Sequence, residues 1–111
     1  MDRTIEYRET VKELIADYAK QDKQENGIEQ ELIFDTEHDH YLFFRVGWDN
    51  MRWVYSVCLH FDIKDGKIWI QHNGFEADVA AQLVERGVPK SDIVLGFFAP
   101  YRRKLTEYAA T

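Results

Sequence analysis

The sequence predicts an α+β fold in which an N-terminal helix precedes a four-stranded antiparallel meander, a second helix and a short C-terminal helix, all in a single domain over residues 1–111. Three observations carry this reading. Tyr7, Val11, Leu14, Ile15 and Tyr18 recur at the spacing of one helical face, with charged residues between them. Every second residue from Met51 to Ile63 is apolar, the signature of a long half-buried strand. Asp49-Asn50 and Asp65-Gly66 are pairs that tolerate the positive φ of two-residue hairpin turns.

In order along the chain, the amphipathic first helix gives way to a polar stretch from Gln21 to Gly27, whose Asn26-Gly27 end favours a turn. A strand is expected around Glu31 to Thr36, followed by a polar turn at Glu37-His38-Asp39. The next strand carries Leu42, Phe44, Val46 and Trp48 on one face. Pairing across Asp49-Asn50 sets Trp48 opposite Met51 and Val46 opposite Trp53. Pairing across Asp65-Gly66 sets Ile63 opposite Ile68 and Phe61 opposite Ile70. Asn73 with Glu76 three residues on suggests the start of the second helix, and Gly87 and Pro89 end it near Arg86. Asp92 to Phe98 is an apolar segment too brief to type. Beyond Pro100, Tyr101, Leu105 and Tyr108 suggest the last short helix.

Composition narrows the function. With 111 residues, 45% hydrophobic and 14% aromatic, the chain can bury one core and is too short for two domains. Its 20 acidic and 14 basic side chains leave a net charge of −6, a field that repels phosphate backbones and anionic lipid, so DNA binding by this chain alone is not expected. Cys58 is the single cysteine, which excludes an internal disulfide and a cysteine-rich zinc site. The charged start, Met1 to Glu6, lacks the apolar run of about 7–15 residues of a secretory signal, and no run approaches the roughly 18 apolar residues of a membrane span. A cytoplasmic protein without membrane contact is the expectation.

One ordered set of segments is distinctive: His60-Phe61-Asp62-Ile63, Asp65-Gly66-Lys67-Ile68-Trp69-Ile70-Gln71, and Gly87-Val88-Pro89-Lys90-Ser91-Asp92-Ile93-Val94-Leu95-Gly96-Phe97. With Tyr41, Val46-Gly47-Trp48 and the later Pro100, Arg103, Thr106, Tyr108 and Ala109, they resemble the XisI family, the fdxN-element excision controlling factors of cyanobacteria. Phe75 before Glu76 and Phe98-Ala99 before Pro100 depart from that pattern. The resemblance implies a non-enzymatic accessory role in programmed DNA excision during heterocyst differentiation, acting on a nuclease-like partner of the XisH type. It implies no catalytic residues.

The side chains themselves offer one constellation. The Asp65-Gly66 register sets Asp62 opposite Trp69 and His60 opposite Gln71 on the outer face of the sheet, with His60 and Asp62 as i and i+2 neighbours. A carboxylate that orients an imidazole can begin an acid–base or metal site. A metal needs about three or four ligands, however, and only His72, Asp65 or a distant side chain could complete the set, so no metal or cofactor is assigned. His38 and His40 also point to one side of an extended chain, but a solvated turn accounts for them. Ser56 and Ser91 lack any nucleophile-elbow context, and Cys58 has no activating base in register. Arg102, Arg103 and Lys104, the one basic cluster, are read as solvating the last helix or pairing with acids. The outer face is expected to carry Tyr41, Phe43, Val54, Cys58 and Trp69, a surface for a helix of this domain or for another subunit, a dimer included. The candidate partner surface is therefore His60, Asp62, Trp69, Gln71, Tyr41, Phe43 and Arg103, with a small enzyme or metal-binding protein built on His60 and Asp62 as the alternative.

Overall fold

A computed structural model describes residues 3–23 and 26–111. Gln24 and Glu25, within the turn expected over Gln21–Gly27, lie outside the described residues, as do Met1 and Asp2. Helix α1 (Thr4–Gln21) precedes strands β1 (Ile28–Asp35), β2 (His40–Asp49), β3 (Arg52–Lys64) and β4 (Lys67–Asn73). Then come α2 (Val79–Glu85), a single 3₁₀ turn at Lys90–Asp92, β5 (Ile93–Leu95) and α3 (Pro100–Arg103). The sheet is five-stranded, in the order β1-β2-β3-β4-β5.

The first four strands form the expected antiparallel meander, but the apolar segment after Pro89 adds β5 parallel to β4, so the sheet is mixed. The parallel pairing is reached through the α2 crossover, which the sequence reading placed after the sheet and not within it. β5 also bridges Ala109, which draws the end of the chain back onto the sheet.

Both helices lie on one face. Tyr7, Val11, Leu14 and Ile15 of α1 and Val79, Ala80 and Leu83 of α2 join Tyr41, Phe43, Leu59, Phe61, Ile68 and Ile70 in one buried core. Polar contacts fasten α1 over it. Tyr7 donates to the Asp92 carboxylate, and Arg8 grips Asp39 at 2.7 and 3.1 Å while Tyr41 donates to the same carboxylate at 2.8 Å. α2 starts later than Asn73: Asp78 is its N-cap, accepting from the Ala81 amide, whereas Asn73 ends β4 and accepts from the Phe75 amide. Its end is as expected. Gly87 at φ 99° donates to Val84 and Val88 donates to Leu83, the paired bonds of a Schellman stop. α3 is only four residues long, and Tyr101 and Leu105 are exposed, so they form no buried stripe.

The largest correction concerns which way side chains point. Asp65-Gly66 turns as expected, with Lys64 opposite Lys67 and Ile63 opposite Ile68. The other hairpin turns on Asn50-Met51, with Asp49 opposite Arg52, so Trp48 pairs with Trp53 and Val46 with Tyr55. Between Phe43 and Phe44 the register shifts: Phe43 faces Leu59 and Phe44 faces Val57, leaving Cys58 as an extra residue in β3. One inserted residue reverses every side chain beyond it. Tyr41, Phe43 and Cys58, expected on the outer face, are therefore core residues under the helices, and Val54 follows them to that side. Trp48, Trp53, Tyr55 and Val57, expected inside, face out.

Gly47 marks the tightest backbone approach. It sits at φ 149°, and a Cβ there would stand 2.0 Å from the Gly27 carbonyl oxygen. Gly47→Ala should destabilise the protein by about 1–3 kcal/mol or more in urea denaturation. Gly66→Ala, with only its φ of 74° against it and open space around it, should lose less.

Tyr7 is buried, and burial first, then its bond to Asp92, pushes its hydroxyl up to about 12 from an ordinary value of 10. Burial and the Asp39 bond raise Tyr41 as well. A raised folded-state value means that stability is whole below pH 10 and is lost as pH rises through about 12. Tyr7→Phe should cost about 1–3 kcal/mol near neutral pH through the lost bond to a carboxylate. Melting temperatures measured from pH 8 upward should show this deficit shrinking as the wild-type hydroxyl is forced to ionise.

Candidate functional site

Two registers converge on the outer face at the β2–β3–β4 end of the sheet. Asp35 of β1 pairs with His40 of β2, His40 with Asp62 of β3, and Asp62 with Trp69 of β4, a single row across four strands. His60 lies two residues before Asp62 and so shares its face. A second irregularity, between His60 and Phe61, pairs His60 with His72 and leaves Gln71 as an extra residue in β4. The expected Asp62–Trp69 pairing stands, whereas His60 faces His72 and not Gln71.

The result is a network centred on Asp62, the only buried charged residue among those described. Its Oδ1 bonds both imidazoles, His40 Nδ1 at 2.8 Å and His60 Nε2 at 2.9 Å, and its Oδ2 accepts from the Gln71 amide at 3.1 Å. Burial raises the Asp62 carboxyl, and the bonds from His40, Gln71 and His60 outweigh burial and hold it below the usual carboxylate range. The bond to Asp62 in turn raises His40, against a smaller loss of hydration. Both rings retain solvent access, with His40 side-chain exposure at 52% and His60 at 30%.

The other expected surface residues divide. Trp69 lies beside the network, with the Lys64 ammonium 4.2 Å and the Arg103 guanidinium 5.1 Å from its ring centre. Arg103 also donates to the Phe98 and Gly96 carbonyls at 3.0 and 3.1 Å, and Arg102 lies 4.3 Å over the Phe98 ring. Both arginines of the basic cluster thus hold the C-terminal segment. Tyr41 and Phe43 have no solvent exposure and cannot meet a partner. His38 leaves the cluster, since it bonds Asp35 at 3.0 Å within its own turn. Phe75, one of the departures from the family pattern, packs on Tyr18 and Phe43 in the core.

Sequence reasoning missed two features. His40 belongs with His60 and Asp62, a proximity visible only once the β2–β3 register is known. At the far end of the same face, Trp48 stands against Trp53 at 5.4 Å and Phe44 against Tyr55 at 5.5 Å. Trp48 is 57% exposed, Trp53 52% and Tyr55 68%, beside Met51 at 95%. Val57-Cys58-Leu59, three apolar residues in succession, interrupts strict alternation at the point of this reversal, but Trp53-Val54-Tyr55 does the same where the register is regular. A cleft of about 290 Å³ is lined instead by Asp22, Gln30, Arg45 and Ser56, on the helix-bearing face away from both features. No helix is long and apolar enough to cross a membrane among the described residues.

Comparison with known proteins gives these features a context. The profile of the family described as XisI protein matches residues 1–110. No curated protein matches the chain. Among solved structures, a XisI-like protein from Anabaena variabilis is 46% identical with a TM-score of 0.94, the alignment covering 96% of this chain and 98% of that one. The fdxN element excision controlling factor XisI from Anabaena variabilis is 33% identical with a TM-score of 0.87, over 99% of this chain and 100% of that one. Agreement in sequence and in fold along nearly the whole length establishes that the chain belongs to the XisI protein family.

Proposed function

We propose that this protein is an excision controlling factor that acts without catalysis of its own, as the accessory subunit of a nuclease-like, XisH-type partner in the excision of a DNA element. The observation that carries the proposal is the uncovered aromatic face. Both helices pack on the opposite side of the sheet, yet Trp48, Trp53 and Tyr55 stand together in solvent with Met51 beside them. Aromatic side chains of this size concentrate binding energy at protein interfaces. Glu29 and Glu31 of β1 pair with Val46 and Phe44 of β2, giving the patch an acidic border that suits a partner with a basic rim. The 33% identity to the fdxN element excision controlling factor supports the same role. A net charge of −6, with Arg102 and Arg103 engaged by their own segment, supports action through a protein and not through direct grip on DNA.

Co-expression with the companion nuclease-like protein, followed by size-exclusion chromatography, tests this. The wild-type pair should co-elute, and Trp53→Ala should weaken the complex about 30-fold, with Trp48→Glu abolishing it. Circular dichroism of each variant should match wild type, because these side chains lie outside the core. Failure of the wild-type pair to co-elute would sink the partner reading. Co-elution indifferent to both substitutions would remove the aromatic face from it, and an aromatic-dependent dimer of this chain alone would assign the face to self-association.

A further inference from the structure

The geometry points to a divalent transition-metal site on the outer face of the sheet, with His40 Nδ1, His60 Nε2 and Asp62 Oδ1 as its three protein ligands. The donor atoms come from adjacent strands and all lie within 4.8 Å of one another. Two imidazole nitrogens already aim at one carboxylate oxygen, at 2.8 and 2.9 Å. Neighbouring donors on an octahedral ion with bonds of about 2.1 Å stand about 3.0 Å apart, and on a tetrahedral ion about 3.4 Å. The hydrogen-bonded triad therefore needs only small adjustments, and the exposed His40 ring has the freedom to make them. Each imidazole would enter neutral, its remaining proton on the nitrogen facing away, and the carboxylate as an anion. Water would fill the remaining positions from the open side.

The surroundings have the form that supports a metal centre. Gln71 donates to Asp62 Oδ2 and fixes the carboxylate plane while leaving Oδ1 to the triad. Asp62 itself is 7% exposed, so its oxygen is held in place. Two imidazoles with one carboxylate suit zinc, nickel, cobalt or ferrous iron and do not suit magnesium or calcium, which prefer oxygen alone. This inference is independent of the partner reading, because it concerns a different part of the face and is measured on the isolated chain.

Zn²⁺ alone, titrated into the full-length protein by calorimetry, is expected to bind one ion per chain and to raise the melting temperature, with Mg²⁺ doing neither. His40→Ala, at an exposed position outside the core, should weaken Zn²⁺ binding about 100-fold or more, as should Asp62→Asn, and Gln71→Ala about 10-fold. His38→Ala and His72→Ala should leave it unchanged. The absence of a one-to-one Zn²⁺ or Ni²⁺ site in wild type would overturn the inference. So would an affinity untouched by His40→Ala, or one reduced equally by His38→Ala, since either result places the ion elsewhere.

Discussion

Everything distinctive about this molecule depends on one extra residue in its longest strand. Without the bulge at Cys58, the apolar series from Met51 to Ile63 would lie on a single face, and β2 would turn its Leu42–Trp48 series inward to match. With it, the strand divides. Leu59, Phe61 and Ile63 build the core under α1 and α2, while Trp53 and Tyr55 turn outward. The same shift carries Tyr41 and Phe43 into the core and His40 onto the face of Asp62. Core, aromatic patch and histidine cluster are three results of one local irregularity.

The second irregularity, at Gln71, resolves an electrostatic difficulty created by the first. A carboxylate as buried as Asp62 is costly unless its oxygens are satisfied. Gln71 stands out of register beside it and donates to one oxygen, and the histidines of β2 and β3 take the other. On the helix face, the half-buried carboxylates of Asp39 and Asp92 are satisfied by Arg8, Tyr41 and Tyr7. Those bonds fix how α1 lies across the sheet, which apolar contact alone leaves loosely specified.

Much of this architecture was legible in the sequence. The helical spacing of Tyr7 to Ile15 gave the first helix and its buried side, Asp65-Gly66 gave the third hairpin with its register, and Gly87 gave the end of α2. These are local signals: a period, a turn residue, a stop. What escaped was non-local. A bulge leaves the composition of β3 intact, and Val57-Cys58-Leu59 looks no different from the regular Trp53-Val54-Tyr55, while the hairpin at Asn50-Met51 differs from the expected Asp49-Asn50 by one step that conserves face but not pairing. The β5 segment is too short to display any period, and its pairing with β4 depends on α2 folding back. For the site, His60, Asp62 and Gln71 fall on one face because a single residue, Phe61, separates the first pair and the Asp65-Gly66 turn lies between Asp62 and Gln71. His40, in another strand, required the register that the bulge had changed.

The parallel placement of β5 sets an order of assembly. β1 to β4 join neighbours along the chain, so each hairpin closes at small entropic cost. β5 reaches β4 only after residues 74–92 have formed α2 and its stop, a larger loop that must close before three short pairings compensate it. Loop-closure entropy thus favours the meander as the early unit, with the C-terminal edge, where Ala109 is bridged beside β5, expected to dock after it. A short parallel edge of this kind is expected to exchange its amide hydrogens through local opening, ahead of the amides of Leu59 and Phe61 at the centre of the sheet.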